Sequence, residues 1–405
     1  MAPKTIHKTA KANKSAASAG SSHKLGRDSQ AAAMAPKTIH KTLKAKNSAA
    51  SAGSRLREIQ KLRVGSHCSG WLSESQALDY LRVPHRNIFA SDSDAAVKKL
   101  VLANFHVLKF YDNMLDTPVA KMPGGLDLYV CGFPCQPFSA AGRNKGLADC
   151  RSLPMNAMLE YIKIQKQNMA ILENVSNFQV RHKAVFSNLV KYLESLEEYT
   201  LHYTVLNTDD YGIPQIRKRI YFVLIKTRLL RLQFQWPEPI GSVPISKIYD
   251  RDHRGIIIKS KSMQEAAKTK TSSACLMKAF KQLVAMGMRP RATDAIVDIG
   301  STVKFCSFQV GRCPTITKAR AQSMAYYSTK LQRRLNVREM MRLQGCNPKR
   351  LRTDMLTQTK LAGIIGNAMS INVMAAIILE MLKAACWSPE HGCFGCVPQG
   401  NDDNE

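Results

Sequence analysis

From about residue 61 onward, short apolar runs alternate with helical stretches, and this rhythm limits the possible folds more than any other feature of the chain. NIFAS at 87–91, LDLYVCG at 126–132, MAILEN at 169–174 and RIYFVLI at 219–225 read as buried strands. Helical patterns lie between them, near 94–104, 154–166 and 183–197. Strands that are apolar on both faces must be covered on both faces. The expectation is therefore an α/β fold, a mostly parallel, Rossmann-like sheet with helices on each side. In such sheets ligands bind beyond the carboxyl ends of the strands, so the polar residues that close each strand are where chemistry is sought. With 405 residues, 45% of them hydrophobic, the chain can bury one large core or two medium ones, and a wholly disordered protein is excluded.

Charge is distributed unevenly. The formal net charge is +29, of which residues 1–54 carry +9 and residues 226–335 carry +15. The basicity is thus a tail plus one internal block, and both suggest a polyanionic partner. The tail contains a duplication: MAPKTIHKTAKANKSAASAG at 1–20 returns at 34–53 with three of 20 positions changed. Lys, Ala, Ser and Thr without large apolar side chains cannot bury a core, so disorder is expected there. A basic arm that holds DNA phosphates, an organelle transit peptide, and a duplication without function (or a start at Met34) are the competing readings. No apolar run of signal-peptide type is visible, and 11 scattered cysteines suit a reducing compartment. The segment 361–379 has 19 residues without a charge, long enough to span a bilayer. Asn367 and Asn372 would need partners in lipid, so a buried helix pair is the preferred reading and no membrane partner is expected.

The block at 226–335 breaks the alternation with Pro237, Pro239, Gly241, Pro244, Gly255 and Pro290, and reads as a separate small basic lobe. Ahead of it, GFPCQPFSAAG at 132–142 follows a strand and presents Cys135 between two prolines that restrict its backbone. Taken alone, that thiol is either a small buried apolar residue or a nucleophile activated by nearby positive charge. Arg217 and Arg219, two apart on a strand, face one side of it.

The order of segments decides between these readings. GFPCQPFS, LENVSNF at 172–178, YGIPQIRKRIYFV at 211–223, LNVREMMRLQG at 335–345 and IIGNAMSINV at 364–373 form a series that resembles the cytosine-5 DNA methyltransferase family. The resemblance runs from residue 62 to about 383. It implies a catalytic set of Cys135, Glu173, Arg217 and Arg219. The Cys135 thiolate would add to cytosine carbon 6, Glu173 would hold ring N3 and the exocyclic amine, and Arg219 would hold O2. Arg217 would favour the thiolate, and Asn174 would brace the strand end. The implied cofactor is S-adenosylmethionine, held by Ser69, Gly70, Asp92, Asp112, Asn113, Pro134 and Asn367. Leu72 and Ser73 stand where many family members have two glycines. DNA contacts are implied for Gln136, Ser139, Arg143 and Gln215, although Gln215 also reads as structural.

The resulting organisation is a basic arm at 1–60, a catalytic and cofactor-binding domain at 61–230 and a target-recognition domain at 231–330. Helices at 331–385 complete the catalytic domain, and a flexible tail follows at 386–405. The resemblance implies a monomer that flips cytosine out of duplex DNA, located in the nucleus, or in an organelle if the arm is a transit peptide. Alternatives are the tRNA-methylating branch of the same family and a non-catalytic DNA-binding relative. Cys386, His391, Cys393 and Cys396 could form a metal knuckle, but one residue between His391 and Cys393 makes four-ligand geometry awkward, and no metal is expected.

Overall fold

The alternation is realised as one seven-stranded sheet. The computed structural model describes residues 60–134, 153–252, 254–257, 269–388 and 393–394. In chain order these give β1 (Leu62–His67), α1 (Ser73–Leu81), β2 (His85–Ser91), α2 (Ala95–Asn104), β3 (Val107–Tyr111) and β4 (Leu128–Cys131). Then come α3 (Leu153–Gln165), β5 (Met169–Val175), α4 (Phe178–Arg181), α5 (Lys183–Glu194), β6 (Tyr199–Asn207) and β7 (Lys218–Lys226). The strand order is β3-β2-β1-β4-β5-β7-β6. The first five strands in that order are mutually parallel, and β7 is antiparallel to both its neighbours. Its reversal sets Val175 opposite Arg219 and Glu173 opposite Tyr221.

Period-two alternation splits the strand residues between two cores. Leu128, Val130, Met169, Ile171, Tyr221, Val223 and Ile225 face one cluster, which α1, α2 and the later helices cover. Tyr129, Cys131, Ala170, Leu172, Ile220, Phe222 and Leu224 face the other, under α3 and α5. Each fully buried Leu, Ile, Val or Phe contributes about 1.5–3 kcal/mol relative to exposure, so both faces are needed to hold the sheet. The three expected helices are present. Three strands were not read as apolar runs: β3 and β6 are the edge strands, partly exposed along their length, and β1, though central, has its apolar sequence broken by Arg63 and Gly65.

The basic block has regular structure that its sequence did not announce. There, α6 (Lys270–Ala285) packs on a second, antiparallel sheet of β8 (Ala295–Asp298), β9 (Phe308–Val310), β10 (Tyr326–Ser328) and β11 (Arg333–Arg334), in the order β11-β10-β8-β9. Cys275, Leu276 and Ala279 of α6 meet Val297, Ile299 and Tyr327 in a small core of their own. Strands of two to four residues are too short to show a period. The short α7 (Lys318–Gln322) lies between β9 and β10.

The chain then returns through α8 (Val337–Leu343), α9 (Gln358–Asn367) and α10 (Ile371–Ala384). Asn336 and Glu339 form a reciprocal capping box that starts α8. The apolar run that could span a membrane by length is interrupted at 368–370, and 83% of its most hydropathic window is buried within the protein. The tail expected from residue 386 is not wholly free. Trp387–Ser388 pairs antiparallel with Cys393–Phe394, and Trp387 and Phe394 pack on the main core. His391 and Cys396 lie outside the described residues, as does the N-terminal duplication.

Candidate active site at the strand ends

Glu173 closes β5, nine-tenths buried, because the apolar run of that strand carries it to the sheet's carboxyl edge. Its Oε1 lies 3.1 Å from Arg219 Nε. The approach is that of an ion pair and makes no aligned hydrogen bond. Burial pushes the Glu173 carboxyl above its ordinary value, and the guanidiniums of Arg219 and Arg217 oppose that rise. The two arginines thus stand on the same side, as their spacing required. Their surroundings differ. Arg219 is partly exposed, whereas Arg217 is 2% exposed and donates to Ile316 O and Ala368 O, each at 2.7 Å. Burial, then Arg219, brings Arg217 down to about 9, and Glu173 acts in the other direction. Arg217 therefore combines a positive charge with a strut that ties β7 to the α9–α10 junction.

Asn174 donates to Phe133 O at 3.1 Å, and Glu173 Oε2 would stand 3.6 Å from a Cβ placed on Gly132. The end of β5 is therefore bound to the segment Gly132–Pro134, where this part of the described chain stops one residue short of Cys135. Cys135, Gln136, Ser139 and Arg143 lie outside the described residues. Gln215 does not offer a nucleic-acid surface. It is fully buried, donates to Leu343 O at 2.5 Å and accepts from Ile316 N at 3.0 Å. Its amide braces three chain segments, as its structural reading anticipated, and the DNA contact assigned to it is not supported.

Beyond β1 and β2 the expected cofactor residues converge. Ser69 is buried; its Oγ accepts from Ser91 N at 2.8 Å and reaches Ser66 O and Ser91 O, which ties the two strand ends together. Gly70 takes φ +52°, and a Cβ there would meet nothing within 4 Å, so its backbone faces open space. Asp92 accepts from Gly70 N and Asp94 N, both at 3.0 Å, and burial pushes its carboxyl upward. Asn367 ends α9 with its side chain exposed. The same loop reaches the turn through Ser73 Oγ, which donates to Met369 O at 2.9 Å. The β3 acid is less well placed. Asp112 pairs with Lys98 at 2.8 Å with two-thirds of its side chain exposed, while Asn113 is engaged in its own turn with Leu115 and Asp116.

Two residues in this region, His67 and Glu74, carried no signal that sequence reasoning used, and a third, Leu72, stood out only as a departure from glycine. Leu72, where a glycine was expected, adopts φ +56° and is buried. His67 is buried with Nδ1 2.8 Å from Tyr129 Oη, and burial brings it down to about 3, so it is neutral. Glu74 is completely buried.

A seven-stranded sheet with one reversed strand, a turn open to a ligand after β1 and a buried acid–guanidinium pair at the end of β5 define a Rossmann-like methyltransferase. Residues 72–383 match the C-5 cytosine-specific DNA methylase family, and the chain belongs to it. It is 30% identical over 302 residues to the Type II methyltransferase M.NgoBI of Neisseria gonorrhoeae, covering 72% of this chain and 84% of that one. To the Type II methyltransferase M.HaeII of Haemophilus aegyptius it is 28% identical over 300 residues, covering 74% and 86%. Among solved structures, the Entamoeba histolytica methyltransferase EhMeth aligns with a TM-score of 0.53 at 15% identity, over 80% of this chain and 98% of that one. A Spodoptera frugiperda DNMT2 variant aligns at 0.53 with 12% identity, over 80% and 100%. These two likenesses concern the fold.

Proposed function

We propose that the protein methylates carbon 5 of a cytosine flipped out of duplex DNA, with S-adenosylmethionine as the methyl donor. The observation that carries this is the buried Glu173–Arg219 pair, held against the segment that leads into Cys135. Cytosine carbon 5 is a poor nucleophile. In this reading the Cys135 thiolate adds to carbon 6 and makes carbon 5 enamine-like. Glu173, whose raised affinity for a proton suits hydrogen bonding to N3 and to the exocyclic amine, takes up the charge that develops in the ring. Arg219 holds O2, and the buried charge of Arg217 favours the thiolate. Loss of the carbon 5 proton and expulsion of Cys135 then restore the aromatic ring.

The residues present fit the sulfonium cofactor. Gly70 opens the turn to it, and the Asp92 carboxylate keeps lone pairs for ribose hydroxyls beyond its two backbone amides. Bound there, the cofactor supplies an electrophilic methyl group. We read the basic block, with its small sheet, as the surface that neutralises phosphates and selects the target. The Type II relatives support DNA as substrate.

Transfer of labelled methyl to duplex DNA and to tRNA, with Cys135→Ala as control, tests the reading. Label in DNA that is lost in C135A is expected. Label confined to tRNA overturns the substrate, and DNA binding without transfer overturns the enzyme.

A further inference from the structure

Glu74, the second residue of α1, is fully buried, and neither carboxyl oxygen has a well-formed hydrogen bond among the described residues. The polar groups that bear on it are its own backbone amide and the Ser66 hydroxyl. The hydrogens in this corner can be counted. Ser69 Oγ lies 2.9 Å from Ser66 O and 3.1 Å from Ser91 O, and carbonyls only accept, so the single Ser69 hydrogen goes to one of them. Ser69 Oγ then accepts from Ser91 N and from Ser66 Oγ, both at 2.8 Å. That commits the one hydrogen of Ser66. Toward Glu74, Ser66 can offer only a lone pair. An ionised carboxylate would face that lone pair unpaired and buried, whereas a protonated carboxyl would donate to it.

We propose that Glu74 is an uncharged, protonated carboxyl that starts a one-way hydroxyl relay, Glu74 to Ser66 to Ser69, and thereby positions the turn that receives the cofactor. Its role is positioning, and it rests on the reading of this turn as the cofactor site. The surroundings agree. β1 presents Ser66, β2 presents Asn87 (held by Ser75) and Ser91, and α10 packs on α1 with a buried face of Ile, Val and Met. The charges of α10 lie elsewhere: Lys383 and Glu380 pair with each other at 2.8 Å. His67 is neutral on the opposite face of the sheet. No charged side chain among the described residues faces Glu74, and burial pushes its carboxyl up to about 7.

Loss of the proton leaves Ser66 without a donor and leaves a bare charge beneath the turn. If the turn binds its ligand only with Glu74 protonated, affinity falls about tenfold for each pH unit above about 7. Equilibrium binding of S-adenosylhomocysteine by calorimetry, from about pH 6 to about pH 8.5, reads this directly. In Glu74→Gln the amide donates to Ser66 at every pH, so its affinity is expected to stay flat across the range while the wild type weakens. Parallel curves, or a flat wild type, overturn the proposal.

Thermal melting without ligand separates the two levels of inference. The folded protein holds a proton on Glu74 that the unfolded chain releases between about pH 4.5 and about pH 7, so wild-type stability falls with rising pH across that window. The melting temperature of the wild type should therefore drop relative to E74Q. Equal pH dependence in both overturns the protonated state. Absence of S-adenosylhomocysteine binding in both proteins at about pH 6, with the melting difference present, overturns the cofactor reading and leaves Glu74 protonated.

Discussion

Leu72 shows how one residue can satisfy opposite demands. Its φ of +56° lies in the left-handed region, where a leucine pays about 1–2 kcal/mol that glycine would not. Its side chain is also 1% exposed in the main core, and removing a buried leucine costs about 3–5 kcal/mol. Packing is the larger effect. Leu72→Gly is expected to relieve the strain and still lose about 1–3 kcal/mol in urea denaturation, whereas a stabilised variant would mean that the backbone strain dominates. Glu173 shows a different balance, since in the proposed function its charge serves chemistry. Glu173→Gln keeps shape and burial but cannot trade a proton with the ring, and a loss of about 10²-fold or more in the rate of methyl transfer is expected with an unchanged melting profile. The motifs that carry Cys135 and Glu173 were legible as candidates because they come in a fixed order, and of these two residues only Glu173 is among those the structure describes. Leu72 was legible only as a departure from glycine, which does not reveal that its side chain is buried in the core. Glu74 was not legible, because an acid in the first turn of a helix is ordinarily solvated beside the positive end of the dipole.

At the scale of elements, legibility followed burial. The central strands β4, β5 and β7 carry unbroken apolar runs at 128–131, 169–172 and 220–225 and could be read directly, while β1, broken by Arg63 and Gly65, β3 and β6 at the sheet edges and the two-to-four-residue strands of the basic block left no such trace. Contacts between distant elements were equally silent. Gly366 in α9 is an example: a Cβ there would lie 2.5 Å from Lys318 N and from Thr317 C, both backbone atoms at the start of α7. Glycine is needed because two backbones touch. Overpacking costs about 1–3 kcal/mol where neighbours can adjust, and a backbone adjusts least. Alanine's better helix propensity returns no more than about 1 kcal/mol. Gly366→Ala is therefore expected to lower stability by about 1–2 kcal/mol or more in urea denaturation. It should also weaken S-adenosylhomocysteine binding, because α7 carries Lys318, the cation that reaches Asp94 at 4.0 Å and bears on Asp92. A stable variant with unchanged binding would show that α7 can shift freely.

At the scale of the whole molecule, the charge poses the question that family membership leaves open. Of the +29, the basic block and the N-terminal 54 residues carry +24, and the rest of the chain is close to ordinary. The block is expected of a protein that selects a site on a polyanion. The arm is an addition, and its lysines are consistent with either a DNA-holding role in a nucleus or a role in import into an organelle. Counterion release distinguishes the two. Each phosphate neutralised steepens the fall of log affinity with log salt by about 0.9, so an arm of +9 could contribute at most about 8 to the slope on duplex DNA. Removal of residues 1–54 is expected to flatten that slope by several units and to weaken non-specific binding most at low salt. Discrimination between target and non-target duplexes should stay intact, because lysines that contact phosphates read no base edges. An unchanged slope would assign the arm to targeting, and lost discrimination would mean that the arm reaches into a groove.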